Sequence, residues 1–463
     1  MPSYTYLLSS SSSSNQGLKF YSLTILILIA ALLSDSLLSD VSSIVNRALP
    51  EPTRIVLFST ILGIAILSGS PAVLHNTMKV KAQFGSKNNV LLLISRIIPF
   101  IQYTIFGLLI LITLQIIFTS QYLTLFLVAS LALSWSTGVI LMGIMSFKFL
   151  QWYRAKRNFL VLLYLVFSAM FCVTLGSTII PQLLITLQTS SLYVNSHSTE
   201  IKPFQANPQA LSSLFAIISI ANWLVIPLAF VVWAATAIML NHYSKIFGRT
   251  KYWIILSIPM ASLLAGTTSW LIFLPSLNSI FDQQVIFYTM MAFGGLLVEG
   301  FLLSFAFIIV SKNIQIRIHS KLKDYLRISA TGVAILFVSF FANPSAGSYL
   351  PFGVLSASFL AFGVYLFFSG IYASAISISS DARLRQTIRQ SLLDQSKLLD
   401  NIGMADINRE LEKQTEDMIK KHYETMKKET GIESSISDVE AKNYLEEVMV
   451  EIQKSKGKSS NKK

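Results

Sequence analysis

Cysteine and charged residues are both scarce in this chain of 463 residues. The single cysteine, Cys172, permits no intrachain disulfide and no cysteine-based metal site. Charged residues make up 13% of the chain, whereas soluble domains carry about 25%. Hydrophobic residues make up 53%, with 31 phenylalanines among them. This balance excludes a soluble enzyme, a secreted disulfide scaffold and a disordered protein, and it predicts a chain that faces lipid over much of its length.

The sequence also lacks the patterns of common catalytic sites. It has no Gly-x-x-x-x-Gly-Lys-Ser/Thr phosphate loop, no His-Glu-x-x-His pair and no Gly-x-Ser-x-Gly turn. Its five histidines are scattered, and no two of them are three or four residues apart. We therefore predict a protein that is not an enzyme, with no catalytic residues, no metal site and no cofactor.

Negative charge is scarce outside the C-terminal region. Residues 381–463 hold 16 Lys and Arg against 16 Asp and Glu, while residues 1–380 hold 20 against 7. Of those 20 cations, 17 lie before the first apolar stretch or in every second loop, and the other loops hold only Arg47, Arg54 and Lys202. Such a bias is the positive-inside pattern of membrane proteins. It predicts a multi-pass protein of the cell membrane with both termini in the cytoplasm, whose partner is the lipid bilayer and not a nucleic acid.

Ten stretches are apolar and long enough to cross a bilayer as helices, which takes about 20 residues each. They are residues 20–38, 55–74, 97–118, 122–146, 159–187, 211–240, 253–274, 285–311, 326–342 and 354–378. The ninth is the shortest, and the sequence does not establish that it crosses fully. The predicted fold is all-α: a polytopic transmembrane helix bundle of about ten spans, with a C-terminal cytoplasmic helical tail.

Three regions follow from this pattern. Residues 1–19 form a Ser-rich, flexible cytoplasmic leader, residues 20–378 form the transmembrane bundle, and residues 379–463 form the cytoplasmic tail. The stretch 20–38 could also be the apolar core of a signal peptide. It is longer than such cores usually are and Ala30-Ala31-Leu32 is a poor cleavage site, so we interpret it as an uncleaved span.

Glu299 is the ionisable residue nearest the middle of a predicted span. A charge there costs at least about 2.5–3.5 kcal/mol, so burial favours the neutral acid. Its helical neighbours Ala292, Gly295 and Ala306 are small, which predicts close packing of another helix and a side chain that faces the bundle interior. Two interpretations remain open: a proton, cation or polar-ligand site, or a protonated structural residue hydrogen-bonded to Asn222, Gln115 or a hydroxyl.

Two further acids, Asp35 and Asp40, lie at the outer end of the first predicted span. They could receive an extracellular cation. Carboxylates at such a position also serve simply to end a span at the membrane interface. Both interpretations are compatible with the sequence.

The tail has the pattern of amphipathic helices near 380–401, 404–429 and 437–455, resembling a coiled coil in its narrow apolar stripes. Its apolar positions are candidates for binding a cytoplasmic protein or a second copy of the chain: Leu384, Ile388, Leu392, Tyr444, Leu445, Val448, Met449 and Ile452. Three arginines just beyond the last span suit anionic lipid headgroups, namely Arg383, Arg385 and Arg389. A plain helical extension without a partner is the alternative.

A resemblance covers the junction between the last span and the tail. It rests on Gly370-Ile371-Tyr372-Ala373-Ser374-Ala375-Ile376-Ser377-Ile378-Ser379-Ser380-Asp381, on Leu384-Arg385 and Ile388-Arg389, and on Lys397-Leu398-Leu399-Asp400-Asn401-Ile402-Gly403. This segment resembles a family of multi-pass membrane proteins of ammonia-oxidising archaea, which carries no assigned activity. The resemblance implies a prokaryotic plasma membrane and a junction that matters to the family, and it implies no substrate.

Two functions are compatible with these features. The first is an integral membrane sensor or scaffold, whose bundle is coupled to a partner-binding tail. The alternative is a secondary transporter that uses Glu299 for proton or cation coupling. Ten spans would suit an inverted repeat of five, but the sequence shows no convincing repeat, which weakens the transporter interpretation.

Overall fold

The computed structural model describes residues 5–40, 45, 48–84, 89–155, 157–189, 193–195, 208–241, 244, 248–273, 283–313, 320–342, 350–380 and 403–407. The helices are α1 (Thr5–Asp40), α2 (Glu51–Phe84), α3 (Asn89–Thr119), α4 (Thr124–Ala155), α5 (Phe159–Thr189), α6 (Pro208–Leu240), α7 (Arg249–Phe273), α8 (Gln283–Asn313), α9 (Ser320–Phe341), α10 (Val354–Ser358) and α11 (Leu360–Ser380). Two short strands, β1 (Gln121–Leu123) and β2 (Tyr193–Asn195), pair antiparallel.

Long apolar helices dominate the described chain and confirm a multi-pass helical membrane protein. Nine of them are long and apolar enough to cross a bilayer, with mean hydropathies between 1.4 and 2.4. These nine correspond to nine of the ten predicted spans. The remaining prediction, 253–274, coincides with helix α7, which is not among the nine. The ninth predicted span, whose crossing the sequence leaves open, is one of the nine, at Leu322–Phe341.

The helix α1 begins well before the first predicted span. It starts at Thr5 and runs unbroken to Asp40, so the serine run at 9–14 has a helical backbone. The first predicted span and most of the predicted Ser-rich leader thus belong to one helix. A serine in a helix costs less than about 0.7 kcal/mol relative to alanine. A stable apolar helix that directly follows a serine run can therefore extend through it toward the N-terminus.

Two helices, α9 and α11, form the centre of the bundle. Their apolar windows are 78% and 89% buried, against 33–56% for the other seven spans. Glycines permit their close approach: a Cβ on Gly363 would lie 2.7 Å from the backbone nitrogen of Leu336, and one on Gly370 would lie 2.7 Å from that of Ser329. Small residues at helix contacts bring backbones together where no hydrophobic driving force exists between helices. Gly363 and Gly370 therefore allow α11 to pack directly against the backbone of α9.

Two contacts test the predicted alternation of loops between the sides of the bundle. The strands β1 and β2 follow α3 and α5, and their pairing of Gln121 with Asn195 puts both loops on one side. Near the C-terminal end of α2, the Nζ of Lys79 lies 3.7 Å from a carboxylate oxygen of Asp324 at the start of α9. Both contacts agree with loops that alternate between two sides. Which side is cytoplasmic stays a prediction.

Part of the predicted tail returns to the end of the central helix. Residues 403–407 are helical, and a Cβ on Gly403 would lie 2.5 Å from the side chain of Ile378 in α11. Ile378 and Ala405 are both buried. The remaining tail predictions fall on residues 381–402 and 408–463, outside the described residues. They include every candidate partner-binding and lipid-binding residue of the tail.

Candidate functional site

The last predicted span, 354–378, is interrupted in the structure. A five-residue helix, α10, ends at Ser358, and α11 starts at Leu360, with Phe359 between them. The residue before α10 is Gly353, whose φ of 86° lies in the left-handed region that favours glycine. The predicted span 354–378 therefore corresponds to two helices separated by the single residue Phe359, whose φ of −91° and ψ of 0° remain in the right-handed region. The hydropathy of the segment is continuous, so it carried no sign of the interruption.

Asp35 of α1 holds the start of α10. One carboxylate oxygen accepts the backbone N–H of Gly353 at 3.0 Å, and the other accepts the backbone N–H of Ser356 at 2.8 Å. The hydroxyl of Ser356 lies 2.9 Å from the same carboxylate oxygen and 2.6 Å from the carbonyl oxygen of Leu32. Asp35 is 1% exposed. It is therefore an internal link between two elements, and neither a surface residue nor a simple end of a span.

Ser134 of α4 lies at the interruption itself. Its hydroxyl oxygen is 2.9 Å from the carbonyl oxygen of Ala357 and 3.0 Å from that of Ser358, and it can donate its proton to one of them at a time. It also accepts the backbone N–H of Ala361 at 3.4 Å. In a bilayer, irregular backbone persists only where protein groups satisfy it. Ser134 supplies such a group, and the sequence carried no signal that pointed to it.

Glu299 lies in the middle of α8, and its side chain is 2% exposed. The prediction that it faces the bundle interior is confirmed. Neither of its carboxylate oxygens has a hydrogen-bond partner among the residues that the structure describes. Buried carboxylates are nearly always paired or hydrogen-bonded, because desolvation is otherwise uncompensated. Glu299 therefore differs chemically from Asp35, whose two oxygens are both engaged.

Small residues pack the helices around Glu299 closely, as their spacing predicted. A Cβ on Gly295 would lie 2.5 Å from the carbonyl oxygen of Pro259 in α7. Gly300 faces the Phe337 side chain of α9, and Ala306 is fully buried. Helix α8 is therefore closely packed against α7 at Gly295 and against α9 at Gly300.

The predicted partners of Glu299 are elsewhere or undescribed. The side-chain oxygen of Gln115 accepts the backbone N–H of Leu123 at 3.0 Å, which ties the end of α3 to β1. Since Glu299 has no hydrogen-bond partner in the described part of the chain, the structure does not pair it with Gln115. The side chains of Asn222 and Asp40 lie outside the described residues. Of the predicted site residues whose side chains are described, none is hydrogen-bonded to Glu299.

No family model matches the chain, and no curated protein or solved structure matches it. The described residues hold no group of three or more His, Cys, Asp or Glu side chains that could bind a metal ion. The two buried acids, Asp35 and Glu299, thus remain the chemical features of the bundle that call for explanation.

Proposed function

We propose that the protein is a secondary transporter of a prokaryotic cell membrane, in which Glu299 takes up and releases the coupling ion. The observation that carries this proposal is the pair of carboxylate oxygens without a hydrogen-bond partner in the described structure, on a side chain that is 2% exposed. An unsatisfied buried polar group costs about 1–3 kcal/mol, and more when it is charged. Ionisable groups retained inside membrane bundles commonly mark ion or proton pathways.

The interruption between α10 and α11 supports the same function. Transporters commonly place substrate near discontinuous helices, where backbone groups leave the regular helical pattern. Here the discontinuity is stabilised from α1 by Asp35 and from α4 by Ser134.

A flux assay tests the proposal. The full chain is reconstituted into vesicles that contain a pH-sensitive dye, and a panel of amino acids, organic anions and sugars is added outside. We expect at least one solute to change the internal pH with the native chain and not with Glu299→Gln. Glu51→Gln, which removes a partly exposed acid at the start of α2, is the matched control. Solute uptake that is equal in native and Glu299→Gln vesicles would contradict the coupling role.

A second candidate function, a sensor or scaffold with a partner-binding tail, is favoured by a different observation. The most enclosed helix of the bundle, α11, ends at the contact between Ile378 and Gly403. A shift of α11 would therefore displace the part of the tail around Gly403 that contacts Ile378. In this proposal the tail binds a cytoplasmic protein or a second copy of the chain.

Two truncations separate the contact from the rest of the tail. One ends at Asp406 and keeps the Ile378 contact, and the other ends at Ser380 and removes it. Complexes captured in mild detergent from native membranes are compared with those of the full chain by mass spectrometry. A stoichiometric partner that is lost from both truncations is the expected result. Unchanged complexes after both truncations would remove the basis for a tail-docked partner.

A further inference from the structure

We infer that the ion bound by Glu299 is a proton and not a metal cation. This inference rests on the proposed coupling role of Glu299 and narrows the choice of ion that the sequence leaves open. Three observations carry it: the absence of a cluster of metal-binding side chains among the described residues, the buried apolar side chains next to Glu299 on its helix, and the distance of the described charged groups on the helices that pack against α8.

A metal cation needs more oxygen atoms than this site offers. Hard cations bind six or more oxygens in proteins, from carboxylates, carbonyls and waters. The described residues hold no group of three or more His, Cys, Asp or Glu side chains that could bind a metal ion, so Glu299 has no second acidic side chain beside it in such a group. The nearest hydroxyl along α8 on the buried face, that of Ser304, donates to the carbonyl oxygen of Ala330 at 2.8 Å and is thus engaged. A metal ion here would keep most of its water shell in an apolar interior.

Buried apolar side chains lie next to Glu299 on its own helix. One turn away on α8 lie Leu296 and Leu303, which are 2% and 1% exposed. The Phe337 side chain of α9 fills the space next to Gly300. An ionised carboxylate in such surroundings has no compensation, whereas the neutral acid loses far less on leaving water. A proton is the ion that makes the group neutral without further ligands.

The described charged groups on α7 and α9 lie near the N-terminal ends of those helices, whereas Glu299 lies in the middle of α8. The titratable groups described on the neighbouring helices are Arg249, Lys251 and Tyr252 on α7, Lys323, Asp324, Tyr325 and Arg327 on α9, and Tyr164 and Cys172 on α5. Helix α11, which meets α8 through the rings of Phe307 and Phe367, contributes Tyr365 and Tyr372. The α6 sequence has no charged residue. Arg327 is the closest cation to Phe337 along α9, and ten residues of helix span about 15 Å. The hydroxyl of Tyr164 is already engaged with the sulfur of Met239 at 2.8 Å. No described counterion therefore stands beside an ionised Glu299.

Protonation changes one bond. A proton from water or from the transported solute forms an O–H bond with one carboxylate oxygen, and the acid becomes neutral. Release breaks that bond and returns the proton to water or solute on the other side. The step needs no oxidant, reductant or resident ion. While it is neutral, the Glu299 side chain can pass between states that open to either side of the membrane without the free-energy cost of an uncompensated buried charge.

Infrared spectroscopy of the full chain in lipid nanodiscs at neutral pH tests the inference without a known substrate. A protonated carboxylic acid has a carbonyl stretch that is distinct from the two bands of a carboxylate. We expect such a band in the native chain, its shift on labelling all glutamates with ¹³C, and its loss in Glu299→Gln but not in Glu51→Gln. The glutamate label separates this signal from Asp35. It also keeps the test valid should Glu299→Gln fail to fold.

A cation titration completes the test. The unfolding temperature is followed as choline is replaced by sodium, potassium or lithium at constant ionic strength. We expect equal responses from the native chain and from Glu299→Gln. Absence of the glutamic acid band, or a sodium-dependent rise in unfolding temperature that requires Glu299, would overturn the inference. A protonated Glu299 in a chain that moves no solute would leave the inference standing and would overturn only the transporter proposal.

Discussion

Asp35 and Ser356 are 321 residues apart in sequence and are joined by a 2.8 Å hydrogen bond inside the bundle. The same carboxylate also accepts the N–H of Gly353, so the first transmembrane helix fixes the start of α10. Charge-assisted hydrogen bonds of this kind are about twice as strong as neutral ones. The link holds α10, which directly precedes α11, against α1. We therefore expect it to contribute to the stability of the bundle.

Replacing Asp35 by Ala should destabilise the protein strongly. The change leaves two buried backbone N–H groups, of Gly353 and Ser356, without their acceptor, at a cost of about 1–3 kcal/mol each. The Ser356 hydroxyl keeps its second acceptor, the carbonyl of Leu32. The measurement is the free energy of unfolding in mixed detergent micelles. Ser34→Ala is the control, because Ser34 is exposed and bonds only within its own helix. Equal stabilities of the two variants would contradict the role of Asp35 as an internal link.

Local properties of the sequence predicted most of the membrane fold. Hydropathy over about 20 residues located the spans, and the small residues on one face of α8 predicted the inward position of Glu299. Relationships between distant residues could not be predicted in this way. The contacts of Asp35 and Ser134 with residues 353–361 depend on helix packing, and serine is common in membrane helices without such a role. The three-residue strands β1 and β2 are too short to produce an alternating pattern.

Replacing Gly332 by Ala should lower the free energy of unfolding by about 1–3 kcal/mol, the usual cost of overpacking a core. A Cβ on Gly332 would overlap the backbone nitrogen of Phe367 and would lie 2.8 Å from the carbonyl carbon of Leu366. Backbone atoms of a packed helix cannot move aside without separating α9 from α11. The same unfolding assay measures the effect.

The matched control for this substitution is Gly63→Ala. Gly63 lies in α2, and no described atom lies within 4 Å of the position that a Cβ would take there, so the added methyl meets open space. Alanine favours a helix over glycine by up to about 1 kcal/mol, which predicts a neutral or slightly stabilising effect. A loss of stability at Gly63 as large as that at Gly332 would contradict the close packing of α9 on α11.

The predicted orientation can be tested at the two ends of one helix, α4. Gln121 and Arg154 are exposed and flank that span on opposite sides. The charge bias predicts that Gln121→Cys reacts with a membrane-impermeant maleimide on intact cells, and that Arg154→Cys reacts only after permeabilisation. Both variants carry Cys172→Ala, since Cys172 is the only native cysteine. The reverse pattern of labelling would show that the termini face outside.

Replacing Glu299 by Leu should stabilise the protein while abolishing coupled transport. The substitution removes a buried acid that has no hydrogen-bond partner in the described structure and puts a side chain of similar size against Leu296 and Leu303. Relief of an unsatisfied buried polar group is worth about 1–3 kcal/mol. Ser304→Ala, which removes the hydrogen bond to Ala330 on the same helix, should instead lower stability by about 0.5–1.5 kcal/mol. Suppose that the free energy of unfolding rises in Glu299→Leu and falls in Ser304→Ala. This result would indicate that Glu299 is retained for function at a cost in stability, as functional groups often are. A Glu299→Leu variant less stable than Ser304→Ala would instead assign the carboxylate a structural partner.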